Sequence, residues 1–169
     1  MLETEQLLNK AQDSRFYLWL LNRVLRWAIP FNAPHKFQVL AISRQQITTG
    51  LPYRRSNFNH IKGLHACALA TIAEFTTGLL LIYILGAKKY RIILQKLDMQ
   101  YHYQGKMDAR ATFKISDNWL DENVYRPLNS ASSLIVVCPI EIHDVEGNHL
   151  STGQVHWQLK TWEKVKAKV

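Results

Sequence analysis

Glu74 stands in the middle of an almost continuously apolar run, residues 64–85, interrupted only by His65, Thr71, Glu74, Thr76, Thr77 and Gly78. A carboxylate in such surroundings is costly to desolvate, and chemistry is the commoner reason to keep one there. Burial raises its pKa unless Thr77 or a polar group of a partner compensates. Such a group takes a proton from water as a general base or attacks an electrophilic carbon itself. Without chemistry, the same acid would be a buried carboxylate satisfied by Thr71, Thr77 or the backbone. The other candidates gather where the apolar run begins. At the start of a helix the N–H groups of Ala66 and Cys67 have no intrahelical partner and are backed by the helix dipole. Donors of that kind polarise a carbonyl and stabilise the oxyanion formed on attack. Asn59, just before the run, can orient substrate or water, or can simply cap a turn. His65 can donate to a carbonyl or bond the loop backbone. The Cys67 thiol has no base in view and is not expected to be a nucleophile.

An α-helix advances about 1.5 Å and turns about 100° per residue. His65 and Glu74, nine residues apart, therefore lie ~13 Å apart along the axis on roughly opposite faces. They cannot share one substrate within a chain. They meet only if two antiparallel copies set the start of one helix beside the middle of the other. A site of this kind predicts a homodimer.

The elements that must position these groups follow from the hydrophobic period. Residues 7–29 read as one amphipathic helix ended by Pro30, with Phe16, Trp19, Leu20, Val24 and Trp27 recurring at three- and four-residue spacing. Arg15, Asn22, Arg23 and Arg26 lie between them. The apolar stripe is expected to pack on the main body; an aromatic, basic helix resting on a membrane surface is the alternative. From residue 36 the period is two, Phe37, Val39 and Ala41 alternating with their neighbours, which predicts one strand to about residue 49. Residues 64–85 reach the length of a membrane span. A carboxylate at mid-span is expensive in lipid, and the strands elsewhere need something to wrap, so a helix buried all round is expected. After Gly86 the pattern reads as strand to the end. Ile93, Leu97, Met99, Tyr101 and Tyr103 share one face; Ala111, Phe113 and Ile115 mark the next strand. An apolar run at 133–142 and, after a turn at 144–148, the alternation of Val155, Trp157 and Leu159 complete the set. These elements make an α+β fold in which a curved antiparallel sheet wraps a long central helix, the arrangement of the hotdog fold. Residues 1–29 are then an extra N-terminal helix on a hotdog domain of residues 30–169, one domain overall.

The 169 residues, 47% hydrophobic and 20% charged, suit one globular domain. The net charge of +8 and a pI near 9.6 invite an anionic ligand. The basic residues read as scattered (Arg23, Arg26, Arg44, Arg54, Arg55, Lys88, Lys89, Arg91), with a basic tail at Lys160, Lys164, Lys166 and Lys168. No RNP, helix-turn-helix or finger pattern is present, so nucleic acid is not the expected partner. A small polyanion such as the diphosphate of coenzyme A uses the same charge. Cys67 and Cys138 sit in apolar runs without CxxC or His-rich spacing, which predicts buried free thiols in a reducing compartment and no metal site. Acidic residues near the N-terminus, where a secretory signal carries basic ones, make the cytoplasm the expected location. His102, His143 and His156 read as surface residues.

Residues 59–74, Asn-His-Ile-Lys-Gly-Leu-His-Ala-Cys-Ala-Leu-Ala-Thr-Ile-Ala-Glu, resemble the PaaI-like hotdog thioesterases. Asn59 matches the family's Asn, Gly63 its Gly, His65 its His, and Glu74 the acid nine positions after that His. Residues 98–105 look like the family's following strand and turn. Over residues 30–162 the chain is similar to a bacterial branch, the DUF4442-like proteins, in its Phe-Asn-Ala-Pro-His lead-in and its Asn-His-Ile-x-Gly-x-His-Ala-x-Ala-Leu helix start. Two departures stand out: the Gly-Gly after the histidine is Ala66-Cys67, and the acid is Glu rather than the commoner Asp. Glycine there lets a thioester approach the backbone closely, so its loss narrows the mouth of the pocket. The resemblance implies hydrolysis of an acyl-CoA or acyl-carrier-protein thioester at a dimer interface. Glu74, Asn59 and His65 would be catalytic, and Ala66, Cys67, Gly63 and Thr77 would bind substrate, in a homodimer or a tetramer of dimers. It implies no cofactor and no metal, coenzyme A entering only as part of the substrate. The missing glycines leave a non-catalytic acyl-CoA- or lipid-binding hotdog protein as the alternative. A hydratase or dehydratase of this fold would carry a His-Phe-Pro-Gly or hydratase motif, and neither is present.

Overall fold

The hydroxyl of Ser14 splits the N-terminal segment in two. In the computed structural model, which describes residues 4–164, helix α1 covers Thr4–Ala11 and helix α2 covers Arg15–Ala28. The periodicity predicts one helix there. Ser14 is instead extended, and its side chain accepts from the Tyr17 N–H (3.5 Å) as an N-cap. The docked side of α2 also differs from the predicted stripe. Leu21 is fully buried with Tyr17, Leu18, Leu20 and Leu25 packed around the core, while Phe16, Trp19, Val24 and Trp27 are exposed. Large apolar residues occupy most of the circumference of α2, so spacing alone could not choose a side. Asn22 chooses it. Its amide donates to the Val39 carbonyl (2.9 Å) and its oxygen accepts from the Val39 N–H (2.7 Å), so the side chain stands in for a neighbouring strand.

The single strand expected over 36–49 is a hairpin of β1, Gln38–Ile42, and β2, Gln46–Leu51. Ser43 makes the turn: its hydroxyl accepts from the N–H groups of Gln45 (3.3 Å) and Gln46 (3.1 Å), and its own N–H donates to the Gln46 carbonyl (2.7 Å). Helix α3, Ala66–Leu85, follows, and thirteen of its twenty residues are buried. By length and composition it could cross a bilayer, but 72% of its apolar window is covered by the fold itself. There each fully buried Leu or Ile contributes roughly 1.5–3 kcal/mol.

Strands β3 (Tyr90–Tyr101), β4 (Ala109–Lys114), β5 (Leu134–Asp144) and β6 (His149–Thr161) complete one antiparallel sheet in the order β1-β2-β4-β5-β6-β3. Helix α3 packs on β2, β3, β4, β5 and β6, so the sheet wraps it as the hotdog arrangement requires. Gly78 makes room for this packing. A Cβ there would lie 2.6 Å from the Trp157 ring, whose Nε1 donates to the Thr77 hydroxyl (3.0 Å).

Strand β3 lies at an edge, and a bulge between Leu94 and Lys96 reverses its alternation. Ile92 and Leu94 sit opposite Leu159 and Trp157, and Leu97 and Met99 opposite Val155 and Gly153. Ile93 therefore falls on the outer face, not with Leu97 and Met99 as the sequence pattern predicts. Nor is everything after Gly86 strand. Residues 117–130 form α4 (Asp117–Leu120), a π-helical turn (Asp121–Tyr125) and α5 (Arg126–Ser130), capped where the Ser116 hydroxyl accepts from the Trp119 N–H (3.1 Å). Leu120 and Val124 are buried in the core, with Trp119 and Leu128 packed against it, over helical pieces of four or five residues that are too short for a period to stand out.

Cys138 is a buried thiol, pushed up to about 12 by that burial. Cys67, expected to be buried as well, is exposed, because the first turn of α3 projects past the cover of the sheet and Ala66 is exposed with it. Lys166 and Lys168 of the basic tail lie outside the described residues.

Candidate active site at the start of the central helix

Asn59 builds the loop that leads into α3. Its side-chain oxygen accepts from the N–H groups of Ile61 (3.1 Å) and Gly63 (2.8 Å), and its own N–H donates to the Gly63 carbonyl (2.8 Å). Closing so tight a turn puts Lys62 in the left-handed region, at φ +59°. That conformation costs about 1–2 kcal/mol for a residue with a Cβ, and a bond from the Tyr53 hydroxyl to the Lys62 carbonyl helps to hold it. Gly63 is buried, and a Cβ on it would lie 2.7 Å from the Gln104 side chain. This glycine shapes a wall of the site by letting the chain beyond β3 come close.

His65 is the N-cap of α3. Its Nδ1 accepts from the Cys67 N–H (3.0 Å) and its backbone N–H donates to the Asn57 carbonyl (2.8 Å). A ring that accepts at Nδ1 carries its proton on Nε2 and is neutral. The capping bond corrects one expectation: the Cys67 N–H is already taken. Of the two helix-start donors read from the sequence, the Ala66 N–H alone lacks a partner among the described residues.

Beside that free donor lies a cleft of about 410 Å³ between the loop and the end of β3, lined among others by Asn59, Ala66, Leu69, Tyr101 and Gln104. The Tyr101 hydroxyl donates to the Ala66 carbonyl (3.1 Å). Burial pushes that phenol up, and Cys67 nearby adds to the effect, so it stays a donor. Tyr101 and Gln104 were not legible as site residues, Tyr101 because a strand residue's neighbours come from elsewhere in the chain.

Over the first half of α3 the accessible residues form one narrow strip: Ala66, Cys67, Ala70, Thr71 and Glu74. Seven residues separate Cys67 from Glu74, close to two turns, so the two share a side. Glu74 is half-buried, and burial alone pushes its carboxyl above the usual range. Among the described residues it has no hydrogen-bond or ion-pair partner. Thr77 supplies no compensation, so the rise expected on burial stands. That hydroxyl is fully buried, donates to the backbone carbonyls of Ala73 (3.0 Å) and Glu74 (3.2 Å), and accepts from Trp157. The Thr71 hydroxyl is likewise bonded to the Cys67 carbonyl (2.7 Å). Glu74 does not line the cleft at the helix start. Within one chain the donor and the carboxylate are separate places, as the helix geometry requires.

One further cluster lies near the end of the sheet. The rings of His102 and His143 flank that of His149 at 4.5 and 4.7 Å, and ligand atoms of Glu141, His143 and His149 lie within 4.8 Å of one another. These are the described residues best placed to hold a cation. His102 is exposed, while His143 and His156 are only half so.

A family model described as a domain of unknown function, DUF4442, matches residues 18–159. The chain belongs to the DUF4442 family. The match takes in the cleft, all of α3 and almost the whole sheet. No curated protein sequence matches the chain. Among solved structures it is similar to a Pseudomonas aeruginosa protein of unknown function described as a probable thioesterase, with a TM-score of 0.76 at 18% identity over 85% of this chain and 95% of that one. It is similar also to a thioesterase from Haemophilus influenzae, with a TM-score of 0.69 at 12% identity, covering 94% and 99%. A Chlorobaculum tepidum protein of unknown function gives 0.71 at 10% identity, covering 93% and 96%. At these identities the likeness carries the fold, and carries it over nearly the whole of each chain.

Proposed function

We propose that this protein hydrolyses acyl thioesters, of coenzyme A or of an acyl carrier protein, at a site completed by a second copy of the chain. The observation that carries the reading is Glu74, a half-buried carboxylate without a partner among the described residues, on the accessible strip of the first half of the central helix. Solved structures of the same fold described as thioesterases support it.

The chemistry divides between the start of one central helix and the middle of its partner's. Water attacks the thioester carbon while the Glu74 carboxylate of one chain removes its proton. The charge that develops on the carbonyl oxygen meets the free Ala66 N–H of the other chain, at the positive end of α3. The C–S bond then breaks, the thiolate takes the proton from Glu74, and the carboxylate is restored. If Glu74 attacks directly, an anhydride forms and water opens it, with the same balance of atoms. Asn59 lends its amide nitrogen, which has no partner among the described residues, to orient the acyl group; its oxygen is spent on the loop. The Nε2–H of His65, an exposed residue at the start of the same helix, is offered as a second donor. The unpaired edge of β3 gives the second copy a place to join, since an open edge presents free backbone donors and acceptors.

A panel of acyl-CoAs assayed for thiol release, with wild type and Glu74→Gln, tests the proposal. Turnover of the best substrate should fall ~10²-fold or more in the variant while substrate still binds. Unchanged turnover in Glu74→Gln would sink the mechanism. One observation favours a second reading, a non-catalytic acyl-CoA-binding protein: the His65 cap leaves one free helix-start donor where two were expected. Saturable acyl-CoA binding without thiol release from any of the panel would establish that reading instead.

A further inference from the structure

The exposed side of α2 carries a surface that the hydrolytic reading does not use. Phe16, Trp19 and Trp27 are 63%, 56% and 84% exposed, and Phe31 in the 3-10 turn just after the helix is 68% exposed. The first three recur at helical spacing, Phe16 stacks on Trp19 (6.0 Å), and the Arg23 guanidinium lies 5.6 Å from the Trp19 ring. Arg15, Arg23 and Arg26 share a groove with Trp19 and Leu40 between α2 and β1. Arg54 and Arg55 join the same region, because the Ser56 hydroxyl bonds the Pro34 carbonyl (2.9 Å) and brings their loop beside the Phe31 turn. Among the described residues these five arginines have no carboxylate partner.

The charge is not scattered as the sequence pattern suggests. Residues 14–73 hold eight Lys and Arg and no Asp or Glu, whereas the rest of the chain holds thirteen of each. The whole net charge of +8 thus belongs to the segment that contains α2, the Phe31 turn and the Arg54–Arg55 loop. Large aromatic rings interleaved with arginines, and no acid among them, have the composition of a helix that lies in the headgroup layer of a bilayer. A second copy of the chain fits this face less well, for it would set like charges against each other. The open edge at β3 is also at the far end of the sheet from β1, which α2 covers.

We propose that the α2 face is a docking surface for anionic lipid membranes, with Trp19, Trp27 and Phe31 entering the interface and Arg15, Arg23, Arg26, Arg54 and Arg55 meeting lipid phosphates. This inference stands whether or not the protein is a hydrolase.

Co-sedimentation of the full chain with vesicles tests it, using pure phosphatidylcholine and phosphatidylcholine with a third phosphatidylserine. Wild type should pellet with the anionic vesicles and not with the neutral ones, and salt should release it. Trp27→Ser combined with Phe31→Ser, and separately Arg15→Gln combined with Arg23→Gln, should each weaken binding ~10-fold or more. All four side chains are exposed or nearly so, and an unchanged circular dichroism melt confirms that the fold survives. Failure of wild type to bind anionic vesicles overturns the proposal. Binding that survives the aromatic pair overturns it too, as mere charge attraction. If the aromatic pair instead halves the mass seen by light scattering, the face joins two protein copies and the lipid proposal is wrong.

Discussion

Glu74 loses water on folding and gains no bond from the described residues in return, and this sets two opposite dependences on pH. Its folded pKa is raised above the unfolded value, so folding favours the protonated form. The stability this contributes is present in full below the ordinary glutamate pKa of about 4.3 and is lost as pH rises through the raised folded value. Glu74→Gln cannot ionise. Its melting temperature should match wild type at about pH 4 and exceed it at about pH 8, where wild type carries the desolvated charge. Activity runs the other way, since the base works only when ionised. The kcat/KM of wild type should fall as pH drops through that same raised value, with its acid limb above the ordinary glutamate range. An acid limb at the ordinary value would mean that something else is the base. Ala66 allows a second test at this scale. Proline is accepted at the first helical position and prefers an extended residue before it, and His65 has ψ 137°. Ala66→Pro removes the free donor and leaves the cap from Cys67 to His65 in place. It should cost ~10²-fold or more in kcat with little change in melting temperature.

At the scale of elements, one pair of residues decides how α3 sits in the sheet. The Trp157 indole rests against the helix only because Gly78 has no side chain, and the bond to Thr77 fixes it there. Gly78→Val would drive a branched side chain into the ring, for about 1–3 kcal/mol of lost stability, read from urea unfolding. Gly78→Ala should cost less, since a lone Cβ asks for a smaller shift of the ring. The elements were unequally legible in the sequence. Helix α3 carries a nearly unbroken apolar run, β4 and β6 carry unbroken alternation, and all three stand where those patterns predict. The breaks went unread: Ser14 between α1 and α2, Ser43 in the β1–β2 turn, the bulge beside Leu94, and the capped segment from Ser116. Each is one hydroxyl or one extra residue bonding the backbone locally, too small to disturb a pattern taken over ten residues.

At the scale of the whole molecule, the carboxylate and the free donor lie on separate parts of the chain, and the proposed reaction needs two chains. Light scattering should give twice the 19.6 kDa chain mass or a higher even multiple. A stable monomer at micromolar concentration would remove the composite site. Mixing inactive Glu74→Gln with inactive Ala66→Pro chains goes further. If the two groups come from different chains, each mixed dimer has one site with both groups intact, and activity returns. A mixture that stays inactive although subunits demonstrably exchange rules out the shared site.

What the sequence determined by itself was whatever local pattern encodes: the α+β class, a buried helix within 64–85, the alternating strands, and Glu74 as an acid where an acid is expensive. The helical repeat alone also showed that His65 and Glu74 cannot serve one substrate in one chain. Only the tertiary structure decided which side of α2 docks, because Asn22 finds Val39 seventeen residues away. It alone showed that His65 takes the Cys67 N–H, that Trp157 takes Thr77, and that the cleft wall is Tyr101 brought against Ala66 and Gln104 against Gly63. Those outcomes depend on contacts between residues far apart in the chain, where burial and hydrogen bonding choose among sides that the spacing of residues leaves equal.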